Sequence, residues 1–442
     1  MHYIIIFLLY FLISVSTFSQ ISWDFSEPID IADNTFGNAC AQLLMTSNGD
    51  PQIIMGKPNV GLYIVNGQGG VFNDPQIIPV GEDILISNTN GPNISRHEDK
   101  IGIVYKDLSA DVPSAKFIQS LDGGNSWGES VNIFEDGFED FSIPISSYDN
   151  QGNPFIILKI GEHPEIIEGF ISSSDGGQSF LPFININENL GSGITCECCP
   201  SNAVFSNDRY YNIFRRNENN LRDFWLVSSQ NGIEWDEQID IDPSDWMVNG
   251  CPSSGSATSV MSDGQMATVF MSGGGGSPKI YLNLFNPLNG NNWTTLLSTN
   301  QGTSSNQNYP NISCGPSHTA VVWEEFEDGV NVMLSLAPND EIPNGIMNIS
   351  ESITENLEGS NRYPDIEVFN DKIHVIWQNI NEGTVKYNSG TILSENSLDD
   401  LNMPKKIVKV MNLYGHETIP SANQILLYIY DDGSVEKKFK IE

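Results

Sequence analysis

"SLDGGNSW" (residues 120–127) and "SSDGGQSF" (residues 173–180) are two copies of one pattern, Ser-x-Asp-x-Gly-x-Ser closed by an aromatic residue. Each follows a strand-like run, "AKFIQ" before the first and "EGFIS" before the second. A carboxylate placed in such a turn accepts hydrogen bonds from the backbone N–H groups of its own turn. The glycine supplies a left-handed conformation, and the aromatic residue enters the core as the next strand begins. A weaker copy, Ser228, Gln230, Gly232, Glu234 and Trp235, follows 55 residues after the second.

The turns punctuate a longer period. Seven apolar runs begin at Asp50, Lys100, Asn153, Asp208, Gly264, Ser317 and Asp371, with spacings of 50, 53, 55, 56, 53 and 54 residues. Each follows a weaker strand such as "SNAVFSN" and precedes a third strand. Strand-rich units of roughly 50 residues are the pattern of β-propeller blades. The expected class is therefore all-β with seven blades, six being the alternative count. "WDFSEPIDIA", from Trp23, reads as an outer strand with no blade of its own, and the last unit lacks a clear outer strand. The start of the chain is expected to complete the last blade and so remove the open edges.

The turns at Ser120, Asp122, Gly124 and Trp127 and at Ser173, Asp175, Gly177 and Phe180 resemble the Asp boxes, or bacterial neuraminidase repeats, of sialidase-like propellers. The resemblance implies structural turns on the rim, away from an active site. A metal loop is disfavoured because single carboxylates some 50 residues apart do not converge. Sialidases have six blades and need three arginines around a carboxylate, a tyrosine nucleophile with a glutamate, and an acid aspartate. This chain has six arginines. Arg96 and Arg362 read as preceding inner strands, and Arg216 and Arg222 flank a loop that could join them, so these four are the candidate ligand-binding residues. The family's Arg-Ile-Pro motif is absent, and the sequence pairs none of Tyr105, Tyr211 and Tyr363 with a glutamate. The expectation is a glycan- or protein-binding module without standard sialidase catalysis. The alternatives are an exo-sialidase-type glycoside hydrolase and a copper, zinc or redox propeller built on cysteines.

"TCECCPSN" and "NGCPSSGS" stand just before the innermost strands of two successive blades, which should bring Cys196, Cys198, Cys199 and Cys251 together. The run is similar to one in a group of secreted sialidase-like propellers. In an exported chain with six cysteines, two disulfides among these four are expected. A thiolate site for copper or zinc is one alternative, although no histidine is near in sequence. One disulfide beside a reactive pair is the other. No further cofactor is expected. "SGGGGSP" (272–278) lacks the lysine and the strand-to-helix setting of a phosphate loop and reads as a loop at the channel mouth.

Residues 1–19 read as a signal peptide, with small residues Thr17 and Ser19 before the cleavage point, so the mature protein should have no transmembrane helix. Residues 20–400 form the expected propeller. Residues 404–442 open with lysines and carry "NLYGHE" (412–417) and "NQILLYIYDDGSVEKKF" (423–439). They resemble the type A C-terminal sorting signal of the type IX secretion system of Bacteroidetes. The resemblance implies a small β sorting module, the type IX machinery as partner, and a secreted or surface-attached product. With 20 Lys+Arg against 56 Asp+Glu, the net charge of -36 argues against nucleic acid and anionic membranes as partners.

Overall fold

The computed structural model describes residues 22–134, 141–161, 166–189, 195–236, 238–274, 276–297, 305–326, 329–342, 349–354, 357–393, 407–412, 416, 418, 425–430 and 435–439. Residues 1–19, and most of "NLYGHE", lie outside the described residues. The chain divides into the compact unit Trp23–Ile392 and a second unit holding the remainder.

Seven antiparallel sheets follow one another, one per repeat, giving a seven-bladed propeller. Their innermost strands are Ala39–Met45, Asn93–His97, Phe141–Tyr148, Asn202–Ser206, Ala257–Val260, Asn306–Cys314 and Asn361–Phe369. The strong apolar runs of the sequence are the second strands. Pro154–Ile160 and Met266–Ser272 are buried along their whole length. Such a strand packs against neighbouring blades on both faces, so its apolar run is continuous rather than alternating. The innermost strands read more weakly because they also border the polar axis.

Blade seven closes the ring. Its strands Asn361–Phe369, Lys372–Asn379 and Thr384–Leu393 are completed on the outside by Ser22–Phe25, and Ile29–Asp30 pairs with Tyr387 and Lys386. Ile31 N–H continues the ladder to Val385 O at 3.0 Å. The core at this junction joins Ile376, Val385 and Tyr387 of blade seven to Ile53, Met55 and Val65 of blade one.

The quoted turns link the third and outer strands of their blades. Ser120 Oγ donates to Asp122 Oδ1 at 2.8 Å and accepts from Gly124 N–H at 2.8 Å. Asp122 also accepts from the N–H and hydroxyl of Ser126. Ser173, Asp175, Gly177 and Ser179 repeat these bonds. Each turn is stapled to the preceding blade. Gln52 Nε2 donates to Gly123 O and Gln119 Nε2 to Gly176 O, both at 2.7 Å. Trp127 packs against the core shared by blades one and two, and Phe180 meets Phe117 edge-on at 5.4 Å. The third copy differs from the sequence reading. Ser229 and Asn231, not Ser228 and Gln230, take the capping roles, because this turn is one residue shorter between serine and glycine.

In the second unit, Ile407–Asn412, Ile425–Tyr430 and Val435–Phe439 form a three-stranded antiparallel sheet in that order. Among the described residues, no helix is long and apolar enough to cross a membrane.

Candidate functional site: the channel mouth and its cysteine cluster

Four of the seven innermost strands are kinked where they enter the ring. The register slips in the first residues of four innermost strands, between Ala39 and Gln42, Ser142 and Ile145, Asn308 and Asn311, and Arg362 and Asp365. At these bulges Cys40, Ile143, Tyr309 and Tyr363 adopt positive φ angles of 46°, 50°, 46° and 51°. Proline follows directly in three of them, as Pro144, Pro310 and Pro364. Bulges of this kind re-aim side chains, and all seven blades contribute to one axial cavity of about 300 Å³.

A polar side chain near the start of the innermost strand ties one blade to the next. Gln42 Oε1 accepts from Ile94 N–H at 3.1 Å, Asn93 Oδ1 from Ser146 N–H at 2.8 Å, and Asp365 Oδ2 from Leu43 N–H at 2.7 Å. Asn311 Nδ2 donates to Asp365 Oδ1 at 2.6 Å. The sequence reading missed this belt. Its signal was available: a proline at the strand entry is followed by Asn93, Asn311 or Asp365 in blades two, six and seven.

Two tyrosines from adjacent blades, Tyr309 and Tyr363, stand with ring centroids 4.6 Å apart at the cavity wall. The Arg362 guanidinium lies 4.9 Å from the Tyr363 ring centre and 5.7 Å from that of Tyr309. It is fixed by the fully buried Glu324, whose Oε2 accepts from Nη2 at 3.0 Å. Glu324 Oε1 accepts from the backbone N–H of Tyr363 at 2.7 Å. Both carboxylate oxygens are thus engaged. Burial pushes the Tyr309 phenol well above its ordinary value, so it remains protonated at neutral pH.

The four candidate arginines each hold separate partners. Arg362 is at the mouth as described. Arg96 does not precede its strand. It is the fourth residue of Asn93–His97 and bonds Gln52 and Glu98 O at the opposite end, toward the Ser-x-Asp turns. Arg216 pairs with Glu218 and stacks over Trp225 at 4.5 Å. Arg222 is buried and donates through Nη1 to Cys196 Sγ at 2.9 Å. Tyr105 and Tyr211 belong to the hydrophobic core. Arg215, which the sequence reading left out, is fully buried. It donates to Arg222 O and Met271 O and lies 4.1 Å from the Phe224 ring centre.

The four cysteines come together as expected, with different bonding. Cys198 and Cys251 form a disulfide across blades four and five. Cys196 and Cys199 are buried free thiols with sulfurs 3.3 Å apart. Cys196 Sγ is also 3.6 Å from Cys198 Sγ. The expectation of two disulfides is therefore replaced by one disulfide and a thiol pair, held where Arg222 contacts Cys196. The hydrogen bond with Cys199, aided by Arg222 and Lys159, pulls Cys196 below the ordinary thiol range, while burial pushes Cys199 well above it. The sulfurs of Cys196, Cys198 and Cys199 lie within 4.8 Å of one another. With Cys198 in a disulfide, two thiol ligands remain, fewer than a structural zinc site uses. Beneath the cluster, Lys159 and Glu168 form a buried ion pair at 2.6 Å, capped by Ser201 Oγ. The glycine run beside it has a packing cause: a Cβ on Gly273 would stand 2.6 Å from the Trp246 ring, and one on Gly274 would stand 2.0 Å from Ser244 O.

No family model and no curated protein matches the sequence. Solved structures do match the fold. An ulvan lyase bound to a GlcA–Rha3S unit is similar at 13% identity and a TM-score of 0.55, over 86% of this chain and 100% of the lyase. The polysaccharide lyase Uly1 is similar at 11% identity and a TM-score of 0.50, over 81% and 90%. The BP39L lectin of Burkholderia pseudomallei is similar at 10% identity and a TM-score of 0.55, over 92% and 100%. At such identities the likeness establishes the architecture, a β-propeller of the kind shared by sugar-handling lyases and lectins.

Proposed function

We propose that the axial cavity binds a glycan built of neutral sugar units. The observation that carries this reading is the Tyr309–Tyr363 pair, two flat apolar faces at the wall of a polar cavity. Aromatic faces pack against the C–H face of a sugar ring, and amides serve hydroxyls as donor and acceptor. The cavity wall supplies Gln42, Asn93, Asn311 and Gln378 for that role. Neutral sugars are favoured because a net charge of -36 repels polyanions and because Arg362 is already neutralised by Glu324. The matching lectin and lyases support the reading by analogy of fold alone.

Binding is favoured over sialidase-type hydrolysis because Glu324 has no oxygen left for a tyrosine hydroxyl and the four candidate arginines hold separate partners. Calorimetry against panels of neutral and acidic oligosaccharides tests the reading. A neutral ligand should bind, and Tyr309→Ala and Tyr363→Ala should each weaken it about tenfold or more. Binding confined to acidic sugars, or indifferent to both tyrosines, overturns it. Turnover of a fluorogenic sialoside would favour the hydrolase instead. On the resemblance of residues 404–442, the protein is further proposed to leave the cell by type IX secretion after loss of residues 1–19. A chain lacking 404–442 that still reaches the surface would refute this.

A further inference from the structure

The cysteine cluster is built asymmetrically. Cys251 is exposed and Cys198 half-buried, whereas Cys196 and Cys199 are fully buried. The disulfide therefore stands between solvent and the thiol pair. Cys196 Sγ is within reach of two sulfurs, Cys199 at 3.3 Å and Cys198 at 3.6 Å. Arg222 Nη1 lies 2.9 Å from Cys196 Sγ, a contact that favours negative charge on that sulfur. Cys196 and Cys199 are separated by two residues, so a bond between them needs only local closure, to about 2.05 Å between sulfurs.

We propose that the four cysteines form a thiol–disulfide relay, in which the buried Cys196/Cys199 pair exchanges electrons with outside thiols and disulfides through the exposed Cys198–Cys251 bond. In the first step the Cys196 thiolate attacks Cys198 Sγ. The Cys196–Cys198 bond forms, the Cys198–Cys251 bond breaks, and Cys251 leaves as a thiolate. In the second, Cys199 Sγ attacks Cys196 Sγ as its proton passes to the departing Cys198 sulfur. The Cys196–Cys199 bond forms and the Cys196–Cys198 bond breaks, leaving Cys198 as a thiol and Cys251 to take up a proton according to pH. Two electrons have moved from the buried pair to the exposed one, with no outside oxidant. The exposed Cys198/Cys251 dithiol then reduces a disulfide substrate, small or protein-borne, by the same exchange. Run backwards, the relay lets an outside thiol charge the buried pair.

The test uses the full chain, oxidised with excess oxidised glutathione and then given one equivalent of dithiothreitol. Samples are quenched in acid over time, and thiols are located by differential alkylation and peptide mapping. New thiols should appear first at Cys198 and Cys251 and finish at Cys196 and Cys199, with Cys198–Cys251 bonded again. Thiols that remain at Cys198 and Cys251 overturn the relay. So does a buried pair that never forms a disulfide under oxidation, or stoichiometric copper or zinc on isolated protein that lacks the Cys198–Cys251 bond. In C198S/C251S, reduction of the Cys196–Cys199 bond should slow at least about tenfold, and an unchanged rate would refute a gated pair. Should that variant fail to fold, the wild-type mapping decides alone.

Discussion

The backbone N–H of Leu43 donates to Oδ2 of Asp365 at 2.7 Å, across 322 residues of sequence. The other oxygen of the same carboxylate takes Asn311 Nδ2, so one side chain joins blades six, seven and one. Asp365→Ala leaves a backbone donor and an amide without partners. The expected cost is about 2–3 kcal/mol, read as a lower urea midpoint at unchanged slope. An unchanged midpoint would mean that the belt contributes nothing at the closing junction.

Removal of residues 21–32 takes away the strands that finish blade seven and bares the edge of Thr384–Leu393. An open edge of this kind recruits other chains. Size-exclusion chromatography should show oligomers or aggregate, with a lower melting temperature. A monomer that melts as the full chain does would show that the clasp is dispensable.

The serines that open the rim turns are buried and make three bonds each. Ser120→Ala and Ser173→Ala should each cost about 1 kcal/mol, measured by denaturant unfolding. Glycan binding should be unaffected, because the turns lie at the opposite end of the blades from the mouth. A loss of binding without a loss of stability would relocate the site to the rim.

Asp223 is buried and accepts from Trp246 N–H at 2.8 Å. Burial, with Asp242, Asp240 and Asp245 nearby, raises its carboxyl from 3.8 to about 7. The folded state therefore holds a proton that the unfolded chain releases. The stability this provides is full below about pH 4 and is lost as pH rises through 7. His374 runs the other way: burial lowers it from 6.5 to about 4, so its contribution is lost as pH falls through that range. Comparing wild type with Asp223→Asn at each pH cancels the histidine. The wild type should gain on the order of 2 kcal/mol over the variant between pH 7.5 and 5. Parallel pH profiles for the two proteins would refute the assignment.

Blade number was legible because second strands are buried on both faces and show as unbroken apolar runs. The rim turns were legible because their serines, aspartates and glycines bond to one another within eight residues. The closing strand was legible from a surplus strand at one end and a missing one at the other. The mouth was less so. Glu324 and Arg362 meet only through pairing of neighbouring blades, and Arg96 was misplaced because its strand begins three residues earlier than its flanking polar residues suggest. Cysteine spacing located the cluster, but which sulfurs bond depends on side-chain directions that spacing does not encode. Asn231 shows the same limit at a smaller scale: a one-residue shortening moved the cap to a different side chain.

The clasp on blade seven also sets the order in which the molecule can be made. Its outer strand is the first strand of the ring to emerge during synthesis, and its partner, Thr384–Leu393, is the last. Contacts this distant in sequence are slow to form. Blades one to six can assemble as they appear, yet the incomplete arc has two bare ends until residue 393 has left the ribosome. Closure is therefore the last step in assembling the ring. A chain held unfolded past that moment would keep both ends of the arc open.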